Sequence, residues 1–390
     1  MPTLARLHEL QPEITDWRRD LHQHPELLYD TVRTAGIVAD KLRGFGCDRV
    51  ETGIGRTGVV GVIRGRQSHS GKVIGLRADM DALPMTEATG LPHASKNPGL
   101  MHACGHDGHT AMLLGAAKYL AESRAFDGTA VVIFQPAEEG GGGGKAMCAD
   151  GLMANFSIQQ IFGMHNMPSL PVGSFAIRPG AFLAASDQFT VTVRGRGGHA
   201  ARPHETVDPI LTAAQLVGAL QSIASRNLDP VKTLVVSVTS FRSASDAFNI
   251  IPEQVELKGT VRTMEPDVRR LAEEKIKLIC AHTAQAYGAT ATVDYHKGYP
   301  VMINAAAQTE FCAAVARQVA GPEHVEANTP AIMGAEDFAY MLEERPGAFI
   351  FTGNGETAPV HHPAYDFNDA AIPFGSSYWV KLVETAMPVA

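Results

Sequence analysis

The feature that most constrains the fold is a regular alternation between residues 59 and 165. Short runs rich in Val and Ile alternate there with helical patterns, and the runs are VVGVIRG (59–65), KVIGLRA (72–78), TAVVIF (129–134) and IQQIFGMH (158–165). This alternation is typical of an α/β layer in which a largely parallel sheet is buried on both faces. We therefore predict an α/β fold built around a mostly parallel sheet.

The pattern changes from about residue 187. Strand-like and helical segments then follow in the order βαββαβ up to about residue 296, which is the order of a ferredoxin-like domain. After residue 297 the chain returns to helices and a strand-like run, AFIFTG (348–353). The sequence predicts one discontinuous domain, residues 1–186 and 297–390, interrupted by an inserted domain of residues 187–296.

Composition excludes several classes of protein. The 390 residues include 33 Lys+Arg and 41 Asp+Glu, and the resulting net charge of −8 argues against nucleic-acid binding. No segment approaches the ~18 consecutive apolar residues of a membrane span, and residues 1–27 lack the apolar core of a signal peptide. The five cysteines are scattered without a C-x-x-C pair, as expected for reduced thiols. We expect a cytoplasmic protein without a membrane partner.

Polar residues follow the predicted strands at the points where the strands end. Asp79 and Asp81 follow the second run, Glu138 and Glu139 the third, and His165 closes the fourth. Because ligands bind at the carboxyl ends of strands in open α/β sheets, we expect these side chains to converge.

A thiol and imidazoles lie close together in MHACGHD (101–107), and two more imidazoles in HHP (361–363). Together with a carboxylate they form a sulfur, nitrogen and oxygen ligand set that suits Zn²⁺ or another first-row divalent ion better than Ca²⁺ or Mg²⁺. Cys104, beside a helix N-terminus and near cations, is expected to ionise readily. The alternatives are that Cys104 is an inert buried thiol and that His165 is a hydrogen-bonded core histidine.

The adjacent carboxylates Glu138 and Glu139 are unusual at the end of an apolar strand, because burying two like charges is unfavourable. A nearby cation would remove this penalty. One carboxylate could then bind the metal while the other acts as general base toward a metal-activated water. The alternative is a pair of solvated glutamates at the start of a flexible loop.

Two glycine motifs fail as nucleotide sites. Gly53–Gly58 matches G-x-G-x-x-G, but a strand-like run follows it where a dinucleotide site requires a helix. Gly140–Gly144 with Lys145 lacks the first Gly and the final Ser or Thr of a phosphate loop.

Several segments, in order over most of the chain, closely resemble one family. They are RADMDALP (77–84), MHACGHDGHTAMLLG (101–115), QPAEEGGGG (135–143), MHNMP (164–168), GRGGHAARPHETVDP (195–209), NIIPEQVELKGTVRT (249–263), GAEDFAYM (334–341) and HHPAYDFND (361–369). They resemble the hippurate hydrolase and N-acyl-amino-acid amidohydrolase branch of the aminoacylase/carboxypeptidase metallohydrolases.

The resemblance implies a catalytic domain with two divalent metal ions and an inserted lid that mediates dimerisation. The implied metal ligands are Cys104, His106, Glu139, His165 and His361, with Cys104 bridging the ions. Glu138 would be the catalytic base. His199 would stabilise the tetrahedral oxyanion, in relatives from the neighbouring subunit.

Other matched positions concern the substrate and the surroundings of the metals. Asn249 and Arg262 match positions that hold the carboxylate of the amino-acid half, and the Gly334 loop is expected nearby. An arginine can bind a carboxylate through two hydrogen bonds, which favours N-acyl amino acids over neutral amides. Asp79 stands where carboxypeptidase relatives have a metal-binding histidine, so we expect Asp79 and Asp81 to surround the metal ligands.

These observations predict a metal-dependent amidohydrolase that cleaves N-acyl amino acids of the hippurate or N-acetyl type. Its ions would be Mn, Zn, Co or Ni, its only partner a small-molecule substrate, and its assembly a homodimer or homotetramer through the lid. The alternatives are a dipeptidase or a diamino-acid deacetylase, a non-catalytic metal-binding or ligand-binding protein, or a nicotinamide oxidoreductase that a chelator would leave unaffected.

Overall fold

A computed structural model describes residues 4–389, and its contacts divide the chain into two compact units. The first unit contains the residues up to 180, residues 303–330 and the residues from 337 onward, and the second contains residues 181–302 and 331–336. The second unit is larger than the predicted insertion of residues 187–296, because it also includes the flanking residues 181–186 and 297–302 and the distant segment 331–336. The amide of Ala184 donates to the carbonyl of Gly334 at 2.8 Å, a pairing that no local pattern reveals.

The described helices are α1 (Ala5–Gln23), α2 (Val32–Gly44), α3 (His106–Ser123), α4 (Gly143–Ala149), α5 (Leu152–Asn155), α6 (Pro209–Arg226), α7 (Pro266–Ala286), α8 (Ala306–Ala320), α9 (Ala339–Glu344) and α10 (Ile372–Ala386). The described strands are β1 (Arg49–Ile54), β2 (Gly58–Arg64), β3 (Val73–Asp79), β4 (Thr129–Gln135), β5 (Gln160–Pro168), β6 (Phe175–Ala176), β7 (Gly180–Leu183), β8 (Ala185–Arg194), β9 (Gly198–His199), β10 (Leu234–Ser243), β11 (Ile250–Ile251), β12 (Gln254–Thr263), β13 (Thr290–Lys297), β14 (Met302–Asn304), β15 (Val325–Glu326) and β16 (Gly347–Gly355). In this part of the chain, no helix is both long and apolar enough to cross a membrane.

The first unit is built on an eight-stranded sheet in the order β1-β2-β4-β3-β5-β16-β6-β15. Its central strands β4, β3, β5 and β16 are parallel, and the antiparallel pair β1 and β2 closes one side. Nearly every residue of β3 and β4 is buried, as expected for strands covered on both faces. The predicted parallel α/β layer is therefore confirmed. The 53–58 motif spans the end of β1, the following turn and the first residue of β2, so it does not form a strand-to-helix turn.

Helix α3 begins at His106, within the MHACGHD segment, and packs against α1 and α10. It is buried on almost all sides, and a Cβ on Gly115 would lie 2.5 Å from the side chain of Ile14 on α1, so the two helices approach closely. The start of α3 and the carboxyl ends of the central strands carry the polar residues considered below.

The second unit has a four-stranded antiparallel sheet in the order β10-β12-β8-β13, with α6 and α7 packed on it. Alternate residues of β8 and β12 are buried, which gives the sheet one core face that includes Val191 and Val193. The predicted ferredoxin-like βαββαβ order is confirmed. Asp187 on β8 is buried and accepts hydrogen bonds from Arg269, Tyr295 and the amide of Gly298.

Candidate metal centre

Six of the predicted site residues lie together in the first unit. Their potential ligand atoms form overlapping triads in which all atoms lie within 4.8 Å of one another: Cys104, His106 and His165; Cys104, Glu139 and His361; His106, Glu138 and Glu139. The first two triads share the thiol. The cluster therefore has the composition and spacing of a site for more than one metal ion.

Cys104 and His106 are held by a tight turn at the start of α3. Gly105 between them has a φ of 91°, in the left-handed region that favours glycine. The carbonyl of Cys104 accepts a hydrogen bond from Nδ2 of Asn166 at 2.6 Å, while its Sγ lies 3.3 Å from Nε2 of His165. The turn thus brings thiol and imidazole to the same side of the sheet edge.

His165 is oriented by its own backbone neighbour. Its Nδ1 donates to the carbonyl of Asn166 at 2.6 Å, because a carbonyl can only accept. The proton on Nδ1 leaves the lone pair of Nε2 directed toward the cluster. In metal-binding histidines, a hydrogen bond donated by the other ring nitrogen commonly fixes the tautomer in this way.

His106 is fully buried, and within the part of the chain that the structure describes neither of its ring nitrogens has a hydrogen-bond partner. Carboxylate oxygens of Asp81 and Asp79 lie 3.5 and 3.7 Å away. Burial lowers the pKa of His106, but the charges of Asp79 and Asp81 outweigh it and raise this pKa to about 10. The surroundings of His106 therefore strongly favour the protonated, positively charged form of its imidazole.

Glu138 and Glu139 lie in the loop after β4. Both of their amides donate to the carboxylate of Asp81, at 2.9 and 3.1 Å. Ala137 before them has a φ of 56°, which is uncommon for a residue with a side chain. Asp81 therefore contacts His106 on one side and fixes the two glutamates on the other, as expected for a residue surrounding the ligands.

His361, rather than His362, reaches the cluster. Its Nε2 lies 3.2 Å from Oε1 of Glu139, and its backbone, at φ 63°, donates to the carbonyl of Ala103 at 2.7 Å. His362 instead accepts a hydrogen bond from the amide of Ala364 within its own turn. His361 is about half exposed, so this side of the cluster is open.

The electrostatics of the cluster correct one expectation. Burial and the charges of Glu139 and Glu138 raise the pKa of Cys104 well above its usual range. The expectation that Cys104 ionises readily without a metal is therefore wrong, because the thiol is buried and the charged groups around it are carboxylates rather than cations. A buried thiol, three imidazoles and several carboxylates together suit divalent ions, which would supply the missing positive charge.

The sequence analysis missed His109, which connects two sides of the cluster. Its Nε2 accepts from the amide of Asn166 at 2.9 Å, so its Nδ1 carries the proton and donates to Asp79 at 2.6 Å. Its ring centroid lies 4.5 Å from that of His165. The available signal was its spacing of three residues from His106, which places both on one helix face.

Asp79 is a buried anion with several partners. Burial raises its pKa, but His106 and Arg77 outweigh this and hold the pKa well below its usual range. Arg77 donates to it at 2.7 Å. Asp79 thus lies beside the predicted ligands, attracts His106 electrostatically across 3.7 Å and accepts a hydrogen bond from His109.

Another buried histidine, His22 on α1, supports the start of α3. Its Nδ1 lies 2.8 Å from the carboxylate of Asp107, and its Nε2 lies 3.3 Å from that of Glu87. Burial lowers the pKa of His22, but the charge of Asp107 outweighs it and raises this pKa to about 9. The protonated imidazole therefore connects α1 to the residue that follows His106.

The remaining predicted residues belong to the second unit. The pairing of β9 with β11 sets His199 opposite Ile250, and the amide of Ala200 donates to the carbonyl of Asn249 at 3.0 Å, so His199 and Asn249 are neighbours. His199 is exposed. Arg262 on β12 is half-buried and donates to Thr260 on its own strand.

Comparisons with known proteins place the chain in a family. The sequence model of Peptidase family M20/M25/M40 matches residues 75–385. The chain belongs to this family, which confirms the resemblance to the aminoacylase/carboxypeptidase metallohydrolases.

Three relatives match over nearly their whole lengths. Hippurate hydrolase of Campylobacter jejuni is 44% identical over 382 residues, 98% of each chain, and N-acetylcysteine deacetylase of Bacillus subtilis is 38% identical over 370 residues, 95% of each. Thermostable carboxypeptidase 1 of Saccharolobus solfataricus is 41% identical over 362 residues, 90% of each. A solved Bacillus subtilis protein, described as a dinuclear metal-binding peptidase of the M20 family, is 34% identical with a TM-score of 0.85 and covers 98% of this chain and 100% of its own.

Proposed function

We propose that the protein is a metal-dependent amidohydrolase that cleaves an N-acyl amino acid into a carboxylic acid and a free amino acid. The observation that carries the proposal is the adjacent pair of the buried Glu138 and the partly buried Glu139 beside one thiol and three imidazoles. This arrangement provides metal ligands and a further carboxylate for proton transfer in the same place. Full-length similarity to a hippurate hydrolase and to an N-acetylcysteine deacetylase supports acylated amino acids as substrates.

The residues that would hold the metal are Cys104, His106, Glu139, His165 and His361. When bound, two divalent ions would polarise the amide carbonyl and lower the pKa of a water molecule. The mixed ligand set suits Mn, Zn, Co or Ni, and the family neighbour described as dinuclear supports a pair of ions.

Glu138 is proposed to move the proton. It is 7% exposed, and its backbone is fixed by the carboxylate of Asp81, so its carboxylate has a defined position beside the ligands. It accepts the proton of the attacking water and passes it to the nitrogen of the leaving amine. A carboxylate that only bound metal would not serve both steps.

Residues of the second unit are proposed to bind the substrate. His199 would donate to the oxygen on which negative charge develops, from its own or a neighbouring subunit, with a contribution of about 2.7–4 kcal/mol. Arg262 and Asn249 would hold the substrate carboxylate, with the Gly334 loop nearby. A cytoplasmic location and a homodimer or homotetramer formed through a lid domain stay predictions.

A substrate panel tests the proposal. Amine release is measured from N-benzoylglycine, N-acetylcysteine, a dipeptide and the neutral amide N-benzoylglycinamide, with Mn²⁺-loaded and chelated protein. We expect release from the acylated amino acids and loss of activity on chelation. Preference for the dipeptide would favour a peptidase, the second candidate, which the similarity to a carboxypeptidase supports. No release from any substrate would favour a metal-binding or ligand-binding protein without catalysis.

Two variants separate the proposed roles of the adjacent glutamates. Glu138→Gln should keep the metal content of the wild type and lose turnover, because only the proton acceptor is removed. Glu139→Gln should lose metal as well as turnover. Near-normal turnover of Glu138→Gln would show that this residue is not the base.

A further inference from the structure

A second network of buried polar side chains adjoins the loop that carries Glu138. Arg77 on β3, Gln135 at the end of β4, and Asp337 just before α9 are all fully buried. They lie far apart in sequence, and the parallel strands bring the first two side by side. Nothing in the proposed reaction uses them directly.

The carboxylate of Asp337 is the centre of this network. It accepts hydrogen bonds from Nη2 of Arg77 at 3.0 Å, from Nε2 of Gln135 at 2.7 and 2.9 Å, and from the amide of Gly144 at 2.7 Å. Gln135 in turn accepts from Nε of Arg77 at 2.9 Å. In all of these contacts the carboxylate of Asp337 accepts, so a side-chain amide in its place would present a donor to other donors.

Asp337 contacts both ends of the loop that contains the base. Gln135 lies three residues before Glu138, and Gly144 lies in the first turn of α4 after it. The backbone amide of Asp337 also donates to Oε1 of Glu138 at 3.4 Å. Gly144 is packed tightly, because a Cβ there would lie 2.8 Å from the carbonyl oxygen of Asp337.

From this geometry we propose that Asp337 is a positioning residue for Glu138, an inference that rests on the proposed function of Glu138 as base. Asp337 holds the start and the end of the loop and contacts the carboxylate of Glu138 through its backbone. Proton transfer needs the base within hydrogen-bond reach of its partner. A displacement of about 1 Å lowers a rate by about 10²-fold.

The test is Asp337→Asn, which keeps the size of the side chain and exchanges an acceptor for a donor. With N-benzoylglycine and Mn²⁺-loaded protein we expect kcat to fall by about 10²-fold, while KM changes by less than about threefold because substrate binding is not the step affected. Metal content, measured by mass spectrometry, should match the wild type. A kcat within about threefold of the wild type would overturn the inference.

A double-mutant cycle with Glu138→Gln decides whether Asp337 acts through the base. If it does, Asp337→Asn should have little further effect in the Glu138→Gln background, measured as amine release over long incubation. Effects that multiply in full would overturn the inference and leave the role of Glu138 intact. Near-normal turnover of Glu138→Gln alone would refute the proposed base, and the role of Asp337 with it.

Two further variants keep the test valid if Asp337→Asn folds poorly. Gln135→Met removes a donor to the same carboxylate and preserves the volume; it should lower kcat with metal content unchanged, and an unchanged kcat would count against the inference. Asp187→Asn is the matched control, because Asp187 is also buried and accepts from an arginine and a backbone amide, within the second unit. Asp187→Asn should lower thermal stability without the selective loss of kcat. If it lowered kcat as much as Asp337→Asn does, general destabilisation would explain the effect of Asp337→Asn and the inference would be overturned.

Discussion

Replacing Gly105 by alanine should destabilise the first unit more than any ordinary glycine substitution. Gly105 lies between Cys104 and His106 at a φ of 91°. A Cβ there would overlap Nδ2 of Asn166 and lie 2.5 Å from the hydroxyl oxygen of Tyr365. Both atoms are buried and hydrogen-bonded, so neither can move without losing a partner.

The magnitude follows from two contributions. The left-handed backbone alone destabilises alanine by about 1–2 kcal/mol. Displacing the amide of Asn166 breaks its hydrogen bond to the carbonyl of Cys104, and one buried group left without its partner adds about 1–3 kcal/mol. The sum is about 2–5 kcal/mol, which is a large share of the stability of an ordinary domain.

Two glycines of the same unit provide matched controls. Gly36 lies inside α2 with nothing near its absent Cβ, so Gly36→Ala should raise stability by about 0.5–1 kcal/mol. Gly46 has a φ of 82° and open space around it, so Gly46→Ala should show the backbone contribution alone. Together the three variants separate helix propensity, left-handed backbone and steric overlap.

The assay is the midpoint of thermal unfolding of all three variants and the wild type in the same metal-free buffer, with a shift of about 2–4 °C expected per kcal/mol. We expect Gly36→Ala to unfold at a higher temperature than the wild type, Gly46→Ala slightly lower, and Gly105→Ala lowest. A loss for Gly105→Ala no larger than that for Gly46→Ala would refute the argument from steric overlap with Asn166.

Three further predictions concern pH, metal and the second unit. Burial lowers the pKa of His22, but the charge of Asp107 outweighs it and raises this pKa to about 9, so the stability that the proton contributes is complete below about pH 6.5 and is lost as pH rises through about 9. His22→Asn should therefore flatten the decline of the thermal unfolding midpoint over this pH range. An unchanged slope of midpoint against pH would contradict this prediction. Cys104→Ala should bind less metal than the wild type in equilibrium dialysis, and full metal content would remove the thiol from the ligand set. Asp187→Asn should destabilise the second unit by about 1.5–3 kcal/mol, because the part-buried Arg269 exchanges its anionic partner for a neutral amide and keeps its hydrogen bond to the carbonyl of Gly298. A change below about 1 kcal/mol in urea unfolding would disprove this.

Local sequence patterns predicted the architecture because the residues of a strand themselves indicate which of its faces are buried. The runs of Val and Ile near Leu76 and Val132 are apolar on both faces of the strand, and this is possible only in a sheet that is covered on both sides. Alternation in β8 and β12 indicated the antiparallel sheet of the second unit in the same way. The placement of Glu138 just after β4 followed from these strands, whereas His165 does not close its strand, because β5 continues three residues further to Pro168.

The amino-acid sequence thus determined the two sheets and the residue types at their edges, whereas the tertiary structure decided how those residues are held. Asp81 binds the amides of Glu138 and Glu139 from 57 and 58 residues away, and Asp337 accepts from Gln135 across 202 residues. The raised pKa of Cys104 likewise comes from burial and from carboxylates on other segments. Contacts over such separations leave no periodic pattern in the chain, because their distances and charges exist only once the strands have paired and the helices have packed.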